Sequence, residues 1–347
     1  MNGRAERRRV VVFSLGGTIA STAGQATGGG VVPQLDAQDL ILAVPGLDEV
    51  AAISAVSFRQ VPSGDLTIQD LVSLARHIEL AFSDGVDGVV VTQGTDTIEE
   101  TAFVLDLLIS SAHPVVVTGA MRNPTLVSPD GPANLFAAVR VAASTVSHDL
   151  GTLVVLNDEI HAARFVRKMN SSSPATFHSP SCGPIGWLVE DRVRIVVRVS
   201  RLAPLTPPVD GEVASVALVR MSLGDDGRQL GPVGELGFAG AVVECFGGGH
   251  VPARVVSRLE TLSDRIPVVL ASRTGSGELL QGTYGFPGSE RDLLSRGLMS
   301  AGALDGLKAR ILLSLVVSGE TDRSRVLELF SSIVESVLPT EPPTAAL

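Results

Sequence analysis

Apolar residues come in two alternating rhythms along this chain. Short, mostly apolar runs at residues 10–15, 88–91 and 114–118 have the length and composition of strands buried on both faces of a parallel sheet. Between them, apolar positions recur at helical spacing: Ala37, Leu40, Ile41 and Val44; then Ile68, Leu71, Val72, Ala75, Ile78 and Phe82; then Ile98, Ala102, Leu105 and Leu108. The polar punctuation agrees. Asp36 stands where it can cap the first helix, Pro45 and Gly46 end it, and Thr67 with Asp70 makes a capping-box start for the second. Further strands are predicted over residues 50–58 and 153–156, with a helix running from Pro132 through Leu135 and Val139.

Strands alternating with helices imply right-handed βαβ crossovers. The pattern therefore predicts an α/β protein with doubly wound, mostly parallel sheets. Residues 201–211, RLAPLTPPVDG, carry three prolines and no helical spacing, which suits a linker. A second alternating set follows, with strands near 213–219, 241–245 and 267–272 and helices near 251–262 and 307–316. The expected division is an N-terminal domain over residues 1–200, a linker over 201–212 and a C-terminal domain over 213–347.

In such sheets, ligands bind beyond the carboxyl ends of the strands, where strand order reverses. The residues that follow the predicted strands are Thr18, then Ser63 and Asp65, then Thr95 and Asp96, then Arg122 and Asn123, then Asn157, Asp158 and Glu159. Thr95, Asp96 and Thr97 also precede a helix, but a cap needs only one of them. Residues 16–32 form a loop rich in Gly, Ala, Ser and Thr, and loops of that length in compact domains are usually functional. Lys168 stands out by rarity, because Lys168 and Lys308 are the only lysines among 27 basic residues. Arginine stays protonated, whereas a lysine amine can be tuned toward neutrality by burial. No GxSxG elbow is present and no histidine falls beside a serine in a known motif. A hydroxyl, carboxylate and amine set fits better, with Lys168 activating Thr95, Asp96 beside it, and amides around Gly17 and Gly94 receiving an oxyanion.

Composition narrows the partners. A chain of 347 residues that is 45% hydrophobic can fill two cores, and a net charge of −10 argues against nucleic acid or acidic lipid as partner. Two widely separated cysteines, Cys182 and Cys245, indicate neither a disulfide framework nor a metal site and suit a cytoplasmic protein. The arginines before residue 10 precede too short an apolar run for a signal peptide or membrane span.

The stretches LGGTIAS (15–21), VVVTQGTDTIEETAF (89–103), PVVVTGAMR (114–122) and SPDGPANL (128–135) together resemble the bacterial type I and type II L-asparaginases. The likeness continues through RFVRKMNSSSPATF (164–177), GGGHVP (247–252) and GLKARILL (306–313), and so covers nearly the whole chain. The resemblance implies a larger, Rossmann-like N-terminal domain and a smaller, flavodoxin-like C-terminal one. It also implies a cofactor-free amidohydrolase that cleaves L-asparagine through a threonine acyl-enzyme. By the same resemblance Thr18 is the first nucleophile, Thr95, Asp96 and Lys168 are the second catalytic group, and Ser63 holds the substrate α-carboxylate while Asp96 receives its α-ammonium. It further implies a homo-oligomer, a dimer or tetramer, with a neighbour's Glu290 completing each site. Two positions depart from the pattern: the loop tyrosine has no counterpart near Gly30 and Val31, and Gly64 stands where glutamine is common. Alternatives are a broader amidohydrolase that also takes L-glutamine, an amino-acid-binding homologue without turnover, and a nucleotide-binding α/β protein.

Overall fold

A computed structural model describes residues 7–17, 19, 21–23, 31–33, 36–206, 208 and 212–338, with backbone only at 21–23 and 31–33. It divides into two compact units, Met1–Pro204 and Leu205–Leu347.

The first unit opens with β1 (Arg9–Ser14), a short antiparallel pair of β2 (Ser21–Ala23) and β3 (Val31–Pro33), α1 (Ala37–Leu42), α2 (Leu47–Val50) and β4 (Ala52–Ser57). There follow α3 (Ile68–Ser83), β5 (Gly88–Thr92), α4 (Ile98–Leu108), β6 (Val115–Thr118), α5 (Gly131–Ala142) and β7 (Thr152–Leu156). The unit closes with β8 (Glu159–Ala162), the small ribbon of β9 (Arg167–Lys168) and β10 (Phe177–His178), and the hairpin of β11 (Gly186–Val189) and β12 (Arg192–Ile195). Eight strands make one sheet in the order β12-β11-β8-β7-β6-β5-β1-β4. β4, β1, β5, β6 and β7 run parallel, while β8, β11 and β12 extend the sheet antiparallel.

Local chemistry accounts for these elements. β5 is buried at every position, as its apolar run requires. The expected capping box of Thr67 with Asp70 forms before α3, and the expected cap Asp36 forms one as well, with Asp39, before α1. α4 is anchored to β7 through Asp106, which with Glu99 is one of two buried carboxylates on this helix. The Thr152 amide donates to its Oδ1 at 2.8 Å, and Arg164 Nε lies 3.8 Å from its Oδ2.

The α/β class, the mostly parallel sheets and the two-domain architecture are as expected; strand order adds detail. In the large sheet, the parallel strands reverse direction of progression once, between β1 and β5, which is the flavodoxin-like order rather than the Rossmann one. The second unit holds β13 (Val216–Arg220), α6 (Leu230–Val233), β14 (Gly240–Cys245), α7 (Val256–Ser263), β15 (Val268–Ser272), α8 (Glu290–Ser295), β16 (Met299–Ser300), α9 (Gly306–Gly319) and α10 (Arg323–Val337). Its four strands are parallel and follow one another in sequence order, with no reversal, unlike the doubly wound flavodoxin-like order expected there.

The expectation for the end of the fifth strand fails as well. Asn157 and Asp158, at φ 53° and 61°, are the central pair of a two-residue turn that joins β7 to antiparallel β8, with Leu156 facing Glu159. Both residues tolerate left-handed backbone, which such a hairpin requires. They serve the turn, and the fifth strand therefore contributes no open loop at its end.

Candidate active site

The single reversal in strand order puts the carboxyl ends of β1 and β5 side by side, since those strands are paired. β1 runs into Gly16 and Gly17, both at positive φ. A Cβ on Gly17 would lie 1.9 Å from Gly94 N, so only glycine lets the two loops approach this closely. Gly94 in turn makes room for Ser63, whose Oγ would stand 2.8 Å from a Cβ there. Ser63 is buried and opens a short 3₁₀ turn, Ser63–Asp65, after β4.

Thr95–Thr97 form a second 3₁₀ turn, and α4 begins immediately after it. These three residues do not cap that helix. Thr97 makes no capping bond; its hydroxyl donates to Ser63 O at 3.1 Å and accepts from Gln93 Nε2 at 3.1 Å. Thr95 and Asp96 both face Lys168. The lysine Nζ donates to Thr95 Oγ1 at 2.9 Å and to Asp96 Oδ1 at 2.6 Å. Its side chain is 14% exposed and that of Asp96 is 80% exposed, so the trio runs from a buried hydroxyl to an open carboxylate. An amine and a hydroxyl at this separation can pass a proton. The carboxylate fixes the amine's direction and stands at the open side of the site.

Gly17, Ser63, Gly94, Thr95, Asp96 and Lys168 thus meet at one place. Thr18, with much of the 16–32 loop, lies outside the described residues. Arg122 and Asn123 are engaged within their own loop: Arg122 Nη1 donates to Val127 O at 3.4 Å, and Asn123 Oδ1 takes the Thr125 amide at 2.9 Å. The sequence reading passed over Gln93, which is buried and also donates to Gly94 O at 3.2 Å. It also passed over Asp130, which accepts the Met121 and Arg122 amides and so shapes the loop after β6. Their only signal in the sequence is membership of VVVTQGTDTIEETAF and SPDGPANL. Among the described residues, no group of three or more His, Cys, Asp or Glu side chains is arranged for a metal ion.

Glu290 belongs to the second unit and is fully buried there, at the start of α8. Its Oε1 accepts the Thr283 and Tyr284 amides at 2.8 and 2.6 Å, and its Oε2 is 3.1 Å from His250 Nε2. Burial pushes this carboxyl up, but the Tyr284 amide, the helix-start amide, the Thr283 amide and the His250 ring together outweigh it, and the net direction is down. It is not a solvated helix-start residue.

Comparison with known proteins places this geometry. Residues 9–201 match the family model "Asparaginase, N-terminal", and residues 215–330 match "Glutaminase/Asparaginase C-terminal domain". The chain is 33% identical to a probable periplasmic L-asparaginase of Haemophilus influenzae, with 94% of this chain and 93% of the relative covered. It is 32% identical to L-asparaginase 2 of Escherichia coli (93% and 92% covered) and 31% identical to a glutaminase-asparaginase of Acinetobacter glutaminasificans (93% and 99%). A crystal structure of a probable cytoplasmic L-asparaginase from Campylobacter jejuni superposes with a TM-score of 0.83 at 32% identity, covering 94% of this chain and 99% of that one.

Proposed function

Because this chain belongs to the asparaginase family, we propose that it is an L-asparaginase that hydrolyses the side-chain amide of L-asparagine to L-aspartate and ammonia. The observation that carries this reading is the Lys168 amine held at 2.9 Å from Thr95 and 2.6 Å from Asp96, at the point where strand order reverses. No cofactor enters the scheme.

In this scheme Thr18 Oγ attacks the amide carbon and its proton moves to the departing nitrogen. Amides around Gly17 and Gly94 receive the oxyanion; a donor of that kind is worth about 2.7–4 kcal/mol in the transition state. The C–N bond breaks, ammonia leaves, and a β-aspartyl ester of Thr18 remains. A water positioned by Thr95 and Lys168 then attacks the ester, loses a proton through that pair, and the Thr18 hydroxyl is restored as the C–O bond breaks. Ser63 would hold the α-carboxylate and Asp96 the α-ammonium, the latter matching the exposed carboxylate of the trio. The N-terminal domain carries this machinery, with the 201–212 stretch as linker to the C-terminal one. Glu290 we place in support of the Thr283–Tyr284 turn, because three donors in its own unit hold its carboxylate. A homo-oligomer and a cytoplasmic location complete the proposal; no helix among the described residues is long and apolar enough to cross a membrane.

A second reading is supported by Gly64. Gly64 is exposed and a Cβ at this position would meet nothing within 4 Å, so no side chain from the residue after Ser63 restricts a longer substrate. Ammonia release should therefore be measured on both amino acids. We expect kcat/KM for asparagine to exceed that for glutamine by at least about tenfold, the usual worth of one methylene in a fitted pocket. Equal values would favour the broader amidohydrolase, and calorimetric binding of asparagine without ammonia would favour a binding protein.

A further inference from the structure

A second chain of polar groups, buried at His161 and Ser179 and half-buried at Glu159, lies beside the hairpin that carries Lys168. His161, on β8 and 1% exposed, has Nδ1 at 2.9 Å from Ser179 Oγ and Nε2 at 3.2 Å from Glu159 Oε2. A carboxylate only accepts, so the proton of the neutral ring sits on Nε2 and the Ser179 hydroxyl donates to Nδ1. Burial is the largest influence on this imidazole and lowers its pKa, with His178 adding to the effect and Glu159 opposing it. Serine, histidine and a carboxylate make up a hydrolase triad, but Ser179 is 4% exposed and its own carbonyl already takes the Cys182 and Gly183 amides. The set faces no substrate.

It does face the hairpin. β9 and β10 pair only with each other among the described residues, with Lys168 opposite Phe177 and Arg167 opposite His178. Their connecting loop is closed by Asn170 and Thr176, whose bonds are internal to it. Ser179 follows β10 directly. The bond from Ser179 to His161 therefore ties the open end of the ribbon to a strand of the main sheet.

We propose that Glu159, His161 and Ser179 are positioning residues that hold the Lys168 hairpin against β8, and so keep the lysine amine on Thr95 and Asp96. The proposal rests on the asparaginase reading of that trio for its catalytic consequence. A carboxylate fixes the ring, the ring fixes the serine, and the serine fixes the end of β10, whose His178 faces Arg167 and whose Phe177 faces Lys168. Lys168 can be followed without any substrate, because Lys308 is the only other lysine, 1% exposed and 2.9 Å from Asp305.

The test uses the full-length chain and the variants Ser179→Ala, Ser179→Thr and Glu159→Gln. Steady-state ammonia release gives kcat and KM, and labelling with a water-soluble amine-reactive reagent, followed by peptide mass spectrometry, gives the rate at Lys168 relative to Lys308. For Ser179→Ala we expect kcat to fall about fivefold to tenfold with KM within about twofold, the worth of one buried hydrogen bond felt only at the chemical step. Lys168 labelling should rise about threefold as the ribbon opens locally. Ser179→Thr should restore both values, and Glu159→Gln should show the same split at smaller amplitude. Unchanged kcat and labelling in Ser179→Ala would overturn the proposal. So would parallel loss of kcat and KM with faster labelling of Lys308 and no rescue by threonine, the signature of general loosening. If the wild type releases no ammonia from asparagine, the asparaginase reading fails, and the labelling ratios alone decide the positioning claim.

Discussion

Lys168→Met lowers kcat for asparagine by about 10²–10⁴-fold, the range of a positioned proton-transfer group, and changes KM far less. Methionine matches the lysine stem in length and removes the amine that reaches Thr95 Oγ1 and Asp96 Oδ1. Thr95 is then left without the group that takes or returns its proton, while Ser63, on a separate turn, keeps its place. Lys168→Arg should not restore turnover, because a guanidinium is planar and permanently protonated where the amine is compact and exchangeable. Steady-state ammonia release at saturating asparagine measures both variants. A Lys168→Met enzyme within about threefold of wild-type kcat would place the proton transfer elsewhere, since such transfer is worth far more than that.

Asp106→Ala destabilises the protein by about 3–5 kcal/mol, because it leaves the Arg164 guanidinium buried without its carboxylate. The Thr152 amide loses its acceptor as well. Burial raises the Asp106 pKa, and Arg164, the Thr152 amide and Arg201 oppose it without cancelling it. A raised folded-state value means that the folded protein holds this proton more tightly than the unfolded chain does. The stabilisation is therefore present at acid pH and lost as pH rises through the folded-state value, so the deficit of Asp106→Ala should grow as pH falls. Urea unfolding at several pH values checks both statements. A deficit under about 1 kcal/mol, the size of a surface change, would mean that Asp106 does not anchor α4 to β7.

Much of this was legible along the chain. The apolar runs gave β1, β5, β6 and β7 because a strand buried on both faces has no room for polar residues. Asp36 and Thr67 marked helix starts because their side chains answer amides within the next turn, a purely local matter. Lys168 was visible by its rarity among arginines. The rest depends on partners distant in sequence. Thr95–Thr97 look like a helix cap until Lys168, far along the chain, and the Ser63 carbonyl supply other partners. The antiparallel strands β8 to β12 are too short to show periodicity, so Asn157 and Asp158 read as a loop and not as a hairpin turn. His161 and Asp106 each look like a stray polar residue in an apolar stretch, and only the fold reveals what they hold.

The central claim is that ester formation at Thr18 and ester hydrolysis through Thr95 and Lys168 are separate steps of one reaction. Its most direct test is to quench the wild type and Lys168→Met with acid during turnover of asparagine and to map the peptides by mass spectrometry. A β-aspartyl ester on Thr18 that accumulates in Lys168→Met beyond its wild-type level is the result this account predicts. Steady ammonia release by the wild type with no ester on any threonine in either protein would contradict it.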